Sequence, residues 1–239
     1  MRLNKLTVVI GSTCLSLLLV GSAFAASASN VFDSSATKSE IISSSFDDLK
    51  VMLDQENNTR SIAVVAPLVH GGDFQISKQD FIFYKSNMEM INKLQNISSL
   101  KSVSLSDDSL IGEMVKKEVT VSYAKKLGLE VTPQEVDAVI QQERSFLNDP
   151  SITGENNDTV REIMKNRIRI TGLSEDEFWN SDQTRKEYEK ALLIGKLFDK
   201  LVADGEIEKD NGADFGNYQK KILESYKGEV IVDKSVLNN

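Results

Sequence analysis

The stretch AKKLGLEVTPQEVD, residues 124–137, decides the fold because it holds a helix end and a helix start a few residues apart. Glycine most readily takes the left-handed backbone that ends a helix, so Gly128 predicts such an end. Thr132 is followed by Pro133 and Glu135, the order of a capping box with proline at the first helical position. The stretch therefore predicts two helices joined by a short turn, with Gly128 at positive φ and Thr132 as the N-cap.

Similar signals on both sides predict a mainly α fold with several helices. Apolar residues recur at helical spacing between capping residues and the glycines that stop each helix. The predicted helices are residues 78–95 behind a Ser77–Asp80 capping box, Ser106 to Gly128, Thr132 to Pro150, a segment ending at Gly172, one starting at Ser174, residues 182–204 and a last one around 215–222.

A short β-leaning segment lies at each end of this helical region. One is Glu229–Val232, and the other lies between Ser61 and Ile76. Each would leave unpaired backbone N–H and C=O groups if it stood alone. We therefore predict a small β pairing between the N- and C-terminal segments.

Residues 1–25 have the order of a secretory signal peptide. Arg2 and Lys5 precede the uncharged run Leu6–Val20, and Ala23-Phe24-Ala25 supplies small residues for cleavage. The alternative is an uncleaved anchor, which would be the only contact with a membrane. We expect a secreted or extracytoplasmic protein of the cell envelope.

The rest of the chain divides by composition into two parts. Residues 26–60 are rich in Ser and Asp and predict a linker or a partly ordered arm, with a short helix at Asp47 to Leu53. Residues 61–239 carry the helical pattern and predict the folded domain.

Composition opposes several classes of function. The net charge of −8 leaves no cationic excess to replace the counterions of nucleic acid. One Cys and one His exclude an intramolecular disulfide and Cys-based metal sites, and any Ser-His-Asp or Cys-His catalysis would depend on His70. We predict no metal, no cofactor and no enzymatic activity.

Two acidic patterns offer weaker alternatives. Residues 149–154 place oxygens at alternate positions, as in a calcium loop, but Val160 stands where a bidentate Glu is required. The carboxylates at 107–108 and 175–177 would suit a glycosidase of the cell wall. Their places at helix starts already explain them through the helix dipole.

Three segments, in their order and spacing, resemble the SurA/PrsA-type extracytoplasmic chaperones of bacteria. They are residues 72–81 (GDFQISKQDF), 124–137 and 172–179 (GLSEDEFW), and the resemblance covers about residues 70–232. It implies a SurA N-terminal-like helical lobe that binds extended or unfolded polypeptide. The opening departs from the family pattern, since Gly71 or Gly72 stands in place of Asn.

The family's prolyl-isomerase activity is not implied for this chain. Relatives commonly carry parvulin domains with a pair of histidines. This sequence has no room for that insert between its helices, and His70 is its only histidine. Parvulin-type isomerase activity is therefore not expected.

Aromatic and methionine side chains are the candidate polypeptide-binding residues. Such side chains form pliable apolar surfaces where they stay uncovered, and are core residues otherwise. The candidates are Phe81, Tyr84, Met88, Phe178 and Trp179. We expect a chaperone-like protein that binds unfolded or extended polypeptide clients without catalysis. The alternative is an adaptor or structural protein of the envelope that docks one dedicated partner on the same scaffold.

Overall fold

The computed structural model describes residues 34–60, 66–97 and 106–238. Within these ranges the chain is mainly α, as predicted, with eight α-helices, one 3-10 helix and a small antiparallel sheet. The helices are α1 (Ser34–Arg60), α2 (Lys78–Ile97), α3 (Asp107–Lys126), α4 (Pro133–Asn148), α5 (Glu155–Thr171), α6 (Glu175–Asn180), α7 (Asp182–Ala203) and α8 (Gly212–Ser225), and the 3-10 helix is Lys234–Asn238. The expected signal peptide lies outside the described residues. None of the described helices has the length and apolar character needed to cross a bilayer.

Helix α1 corrects the expected linker. Residues 34–60 form one continuous helix, much longer than the short one expected at Asp47 to Leu53. Ile42, Phe46 and Leu49 recur every three or four residues and are all buried. Burial of this apolar stripe against the rest of the protein outweighs the poor helix propensity of the serines around it.

The turn of residues 124–137 has the predicted geometry. Gly128 lies at φ 75°, and its N–H donates to the Lys125 carbonyl at 2.9 Å while the Leu129 N–H donates to the Ala124 carbonyl at 3.1 Å. These two bonds form a Schellman motif, which satisfies the last carbonyls of α3. Thr132 then caps α4 in a reciprocal capping box with Glu135.

The other predicted boundaries are also confirmed. Ser77 and Asp80 bond reciprocally at the start of α2, with N–O distances of 2.9 and 3.1 Å. Gly172 ends α5 in the left-handed conformation at φ 70°, and Ser174 forms a capping box with Glu177 at the start of α6. Local capping chemistry thus sets where these helices begin and end.

The sheet joins the two ends of the folded region, as predicted. Strand β1 (Val69–His70) pairs antiparallel with β2 (Gln75–Ile76) and with β3 (Ile231–Val232), giving the order β2-β1-β3. The Asp233 N–H extends the ladder by donating to the Leu68 carbonyl at 2.9 Å. Residues 61–65 of the predicted N-terminal segment lie outside the described residues.

The described residues form two compact units, both of which draw on the expected domain at 61–239. Unit 1 holds the described residues of 1–52, 86–104 and 132–189, and unit 2 those of 53–85, 105–131 and 190–239. Trp179 and Tyr188 are among the largest fully buried side chains of unit 1. In unit 2, α3 packs along α8 and Val119 is fully buried. Each unit is assembled from segments distant in sequence, which local patterns do not reveal.

Candidate polypeptide-binding surface

The aromatic pair on α6 belongs to the core of unit 1. Phe178 and Trp179 are almost fully buried and meet edge to face with ring centroids 5.3 Å apart. The Arg167 guanidinium lies 5.8 Å from the Phe178 ring, and the Trp179 indole N–H donates to a Glu175 carboxylate oxygen at 3.3 Å. Both side chains are therefore covered in this conformation and act as packing residues.

The three candidates on α2 divide between burial and partial exposure. Phe81 is buried in unit 2, whereas Tyr84 in unit 2 and Met88 in unit 1 are half-buried. Burial, and then the Glu113 carboxylate, raise the pKa of Tyr84 to about 12. Of the five predicted residues, only Tyr84 and Met88 thus keep part of their surface uncovered.

The exposed large apolar side chains occur elsewhere: Leu127 and Leu173 stand singly, and four others form two adjacent pairs. Ile231 and Val232 of β3 are 66% and 40% exposed, and Val51 and Met52 of α1 are 55% and 38% exposed. The sequence analysis identified Glu229–Val232 as a strand but not as a surface. The pairing of this strand with an N-terminal segment was predicted, but the exposure of its side chains depends on which distant segments pack beside the sheet.

Strand β3 also offers unpaired backbone. It lies beside β1 on one side and, within the described residues, has no second neighbouring strand. Because Asp233 donates toward β1 and direction alternates along a strand, the N–H and C=O of Val232 point to the open edge. An extended peptide that aligns with this edge meets both hydrogen-bonding groups and exposed apolar side chains.

The two faces of the sheet differ in character. Val69 and Ile76 are paired and buried on one face, and Val232 continues that face at the edge. His70 and Ile231 are paired and exposed on the other. The side chain of β3 that is exposed most, Ile231, therefore stands on the solvent face.

Charged side chains lie before and after β3 in ion pairs, so neither sign is in strong excess there. Before β3, the Lys126 ammonium lies 3.7 Å from a Glu229 oxygen and 4.2 Å from the centre of the Tyr226 ring. The interaction with Tyr226 is the largest cause that raises the pKa of Lys126. After β3, Lys234 pairs with Asp108 at 2.5 Å. The local surface is suited to apolar contact more than to a strongly charged ligand.

The calcium-loop pattern at residues 149–154 is organised by an arginine. The Arg161 guanidinium donates to the carbonyls of Leu147, Asp149 and Ile152 at 2.8, 2.8 and 2.7 Å. Hydrogen bonds from Ser151 lower the pKa of the Asp149 carboxyl. The oxygens of this loop thus serve internal donors, and the described residues contain no cluster of three or more metal-ligating side chains.

The paired carboxylates have structural partners at their helix starts. Asp107 bonds to Lys85 at 2.8 Å, and Asp108 bonds to Lys234. Glu177 closes the capping box of α6, where hydrogen bonds from Ser174 lower its pKa. Glu175 and Asp176 face Arg144 at 3.6 and 2.6 Å. These contacts assign the acids to capping and ion pairs.

His70 lies on the exposed face of the sheet. Its Nδ1 is 3.2 Å from the amide nitrogen of Gln75 on the neighbouring strand. This contact spans a hairpin and holds the ring beside β2.

Comparison of the chain with protein-family models, with curated proteins and with solved structures gave no match.

Proposed function

We propose that this protein is an extracytoplasmic, chaperone-like module that binds unfolded or extended polypeptide and carries out no catalysis. Export follows from the signal-peptide pattern of residues 1–25, and the class of ligand follows from the resemblance to SurA/PrsA-type chaperones. The observation that carries the proposal is the open edge of β3 with its two exposed apolar residues, Ile231 and Val232.

An open strand edge binds extended chains without strict sequence requirements. Its N–H and C=O groups pair with any peptide backbone, and apolar side chains beside it add affinity by shedding water. Each Å² of apolar surface removed from water contributes about 25 cal/mol before the cost of ordering the peptide. A short edge of this kind binds clients weakly and reversibly, which suits a holding function.

The test is suppression of aggregation of several unrelated, reduced and unfolded clients. We expect the purified protein to slow light-scattering growth for more than one client. Ile231→Ser combined with Val232→Ser should weaken this effect, since both side chains are exposed and their loss leaves the core intact. Leu173→Ser is the control, because Leu173 is as exposed as Val232 but belongs to unit 1.

The outcomes separate the proposal from its alternatives. Protection of no client by a folded protein would favour the single-partner adaptor. Full protection by the β3 double variant would move the binding surface away from this edge, with Tyr84 and Met88 as the next residues to replace. Measurable turnover of a proline tetrapeptide would contradict the absence of isomerase activity.

A further inference from the structure

A buried carboxyl group lies between helices of unit 1. Glu143 of α4 is 4% exposed, and its helix neighbours Val139 and Ile140 are buried on the same stripe. Acidic side chains are almost never this buried unless they are paired or neutral. Neither the proposed function nor the capping chemistry of α4 uses this group.

Two titratable groups from other helices, Arg167 and Tyr188, interact with it, and a third, Glu187, interacts with Arg167. Arg167 comes from α5, and Glu187 and Tyr188 come from α7. Arg167 interacts with all three acidic groups of the cluster, Glu143, Glu187 and Tyr188. The Tyr188 ring packs against Trp179 with centroids 6.2 Å apart and ring planes tilted by 53°, so the cluster adjoins the aromatic core.

Three other ion pairs of these helices within unit 1 lie closer to the surface. Asp137 of α4 pairs with Arg185 of α7 at 2.6 Å, and Arg144 pairs with Asp176 of α6 at 2.6 Å. Arg169 of α5 pairs with Asp47 of α1 at 2.7 Å. Water and salt screen such pairs, so each contributes little to packing. The buried position of Glu143 is therefore the electrostatically sensitive point of this interface.

The free-energy cost of ionising the buried Glu143 determines the pH range in which this interface changes. Neither carboxylate oxygen of Glu143 has a hydrogen-bond partner among the described residues. Burial raises the pKa of Glu143 from 4.5 to about 7, because the neighbouring Tyr188 and the charge of Arg167 only partly offset the loss of water. In a loosened form, water reaches the carboxyl and the pKa of Glu143 falls back toward 4.5. At a pH between these two pKa values, the packed form binds more protons than the loosened form. A rising pH therefore favours loosening.

We propose that Glu143 makes the packing of α4 against α5 and α7 respond to pH, tight while the carboxyl is protonated and looser once it ionises. The chain's only histidine, His70, lies in unit 2. Histidine is ordinarily the side chain that titrates near neutrality. A neutral-range response located in unit 1 therefore points to Glu143.

Amide hydrogen exchange of the intact protein at pH 6 and pH 8 tests the proposal. The two pKa values imply that protection of α4, α5 and α7 falls about tenfold between these pH values, after correction for intrinsic exchange rates. Glu143→Gln should abolish the fall because glutamine does not ionise. His70→Asn is the matched control and should retain it. Equal protection at both pH values in the wild type, or the same fall in Glu143→Gln, would overturn the proposal.

A second variant keeps the test decisive if Glu143→Gln does not fold. Tyr188→Phe removes the hydroxyl that lowers the pKa of Glu143, so the transition should move to higher pH. Trp179 is the only tryptophan and packs against Tyr188, so its fluorescence reports this site directly. An unchanged fluorescence midpoint in a folded Tyr188→Phe protein would contradict the role assigned to the cluster.

Discussion

Gly128 shows at the scale of one residue how the backbone constrains side-chain choice. Its φ of 75° lies in the left-handed region, where a β-branched side chain is strained. Space is not the constraint, since an added Cβ would meet no atom within 4 Å. The conformation itself selects glycine.

We therefore expect Gly128→Val to lower the free energy of unfolding by more than about 1 kcal/mol. Thermal and denaturant unfolding measure the effect. Gly112→Ala is the control, because Gly112 lies inside α3 with open space around it and alanine there should stabilise by up to about 1 kcal/mol. An unchanged melting temperature for Gly128→Val would remove this explanation of the turn.

Arg161 is a second residue whose role comes from geometry. Its planar guanidinium reaches the carbonyls of Leu147, Asp149 and Ile152 at once and closes the loop between α4 and α5. Lysine carries the same charge but lacks the fixed fork of donors.

We expect Arg161→Lys to destabilise the protein by about 2–3 kcal/mol, because carbonyls that now accept from a charged group lose their donor. Urea unfolding followed by Trp179 fluorescence measures it in the same unit. Arg185→Lys, at the surface pair with Asp137, is the control and should change stability by less than about 1 kcal/mol. Equal effects of the two variants would show that charge alone holds the loop.

Helix α1 shows that tertiary burial can determine whether a segment forms a helix. Its sequence is rich in serine, and composition alone favours an arm without fixed structure. Buried Ile42, Phe46 and Leu49 show that a narrow apolar stripe is sufficient when the rest of the protein provides a surface to cover it.

Phe46→Ala should therefore cost about 3–5 kcal/mol, as for other fully buried phenylalanines. Val51→Ala on the same helix should stay within about 0.5 kcal/mol, since Val51 is 55% exposed. The midpoints of denaturant unfolding, with the denaturant dependence of the free energy unchanged, give the stability change of both variants. A negligible effect of Phe46→Ala would mean that α1 does not contribute to the cooperative core.

At the scale of a whole unit, the C-terminal segment completes the sheet of unit 2. Strand β3 pairs with β1, and Val236 after it is buried in the same unit. The chain must therefore be complete to this point before unit 2 can bury its first strand.

Removal of residues 229–239 should lower the melting temperature strongly, because β1 loses a hydrogen-bonded neighbour and the core loses Val236. Removal of residues 238–239 is the control and should have little effect, since Asn238 is exposed. Calorimetry of the three proteins measures the difference. Equal stability of the long truncation and the full chain would show that β3 is dispensable.

Local sequence patterns were sufficient to predict the helical class, the starts of α2, α4 and α6, and the glycine ends of α3 and α5. These features depend on hydrogen bonds between residues three to five positions apart, so the information is local. The pairing of the two terminal strands also followed from the sequence, because unpaired backbone at both ends has few other partners.

Only the tertiary structure decided which apolar residues are covered. Local sequence does not distinguish an aromatic residue of the core from one on a binding surface. Packing buries Phe81, Phe178 and Trp179 and leaves Ile231 and Val232 exposed. Burial depends on which distant segments meet, and both units combine segments from across the chain. The burial of Glu143 has the same origin, since α4, α5 and α7 surround it only after folding, and this is why no local pattern revealed it.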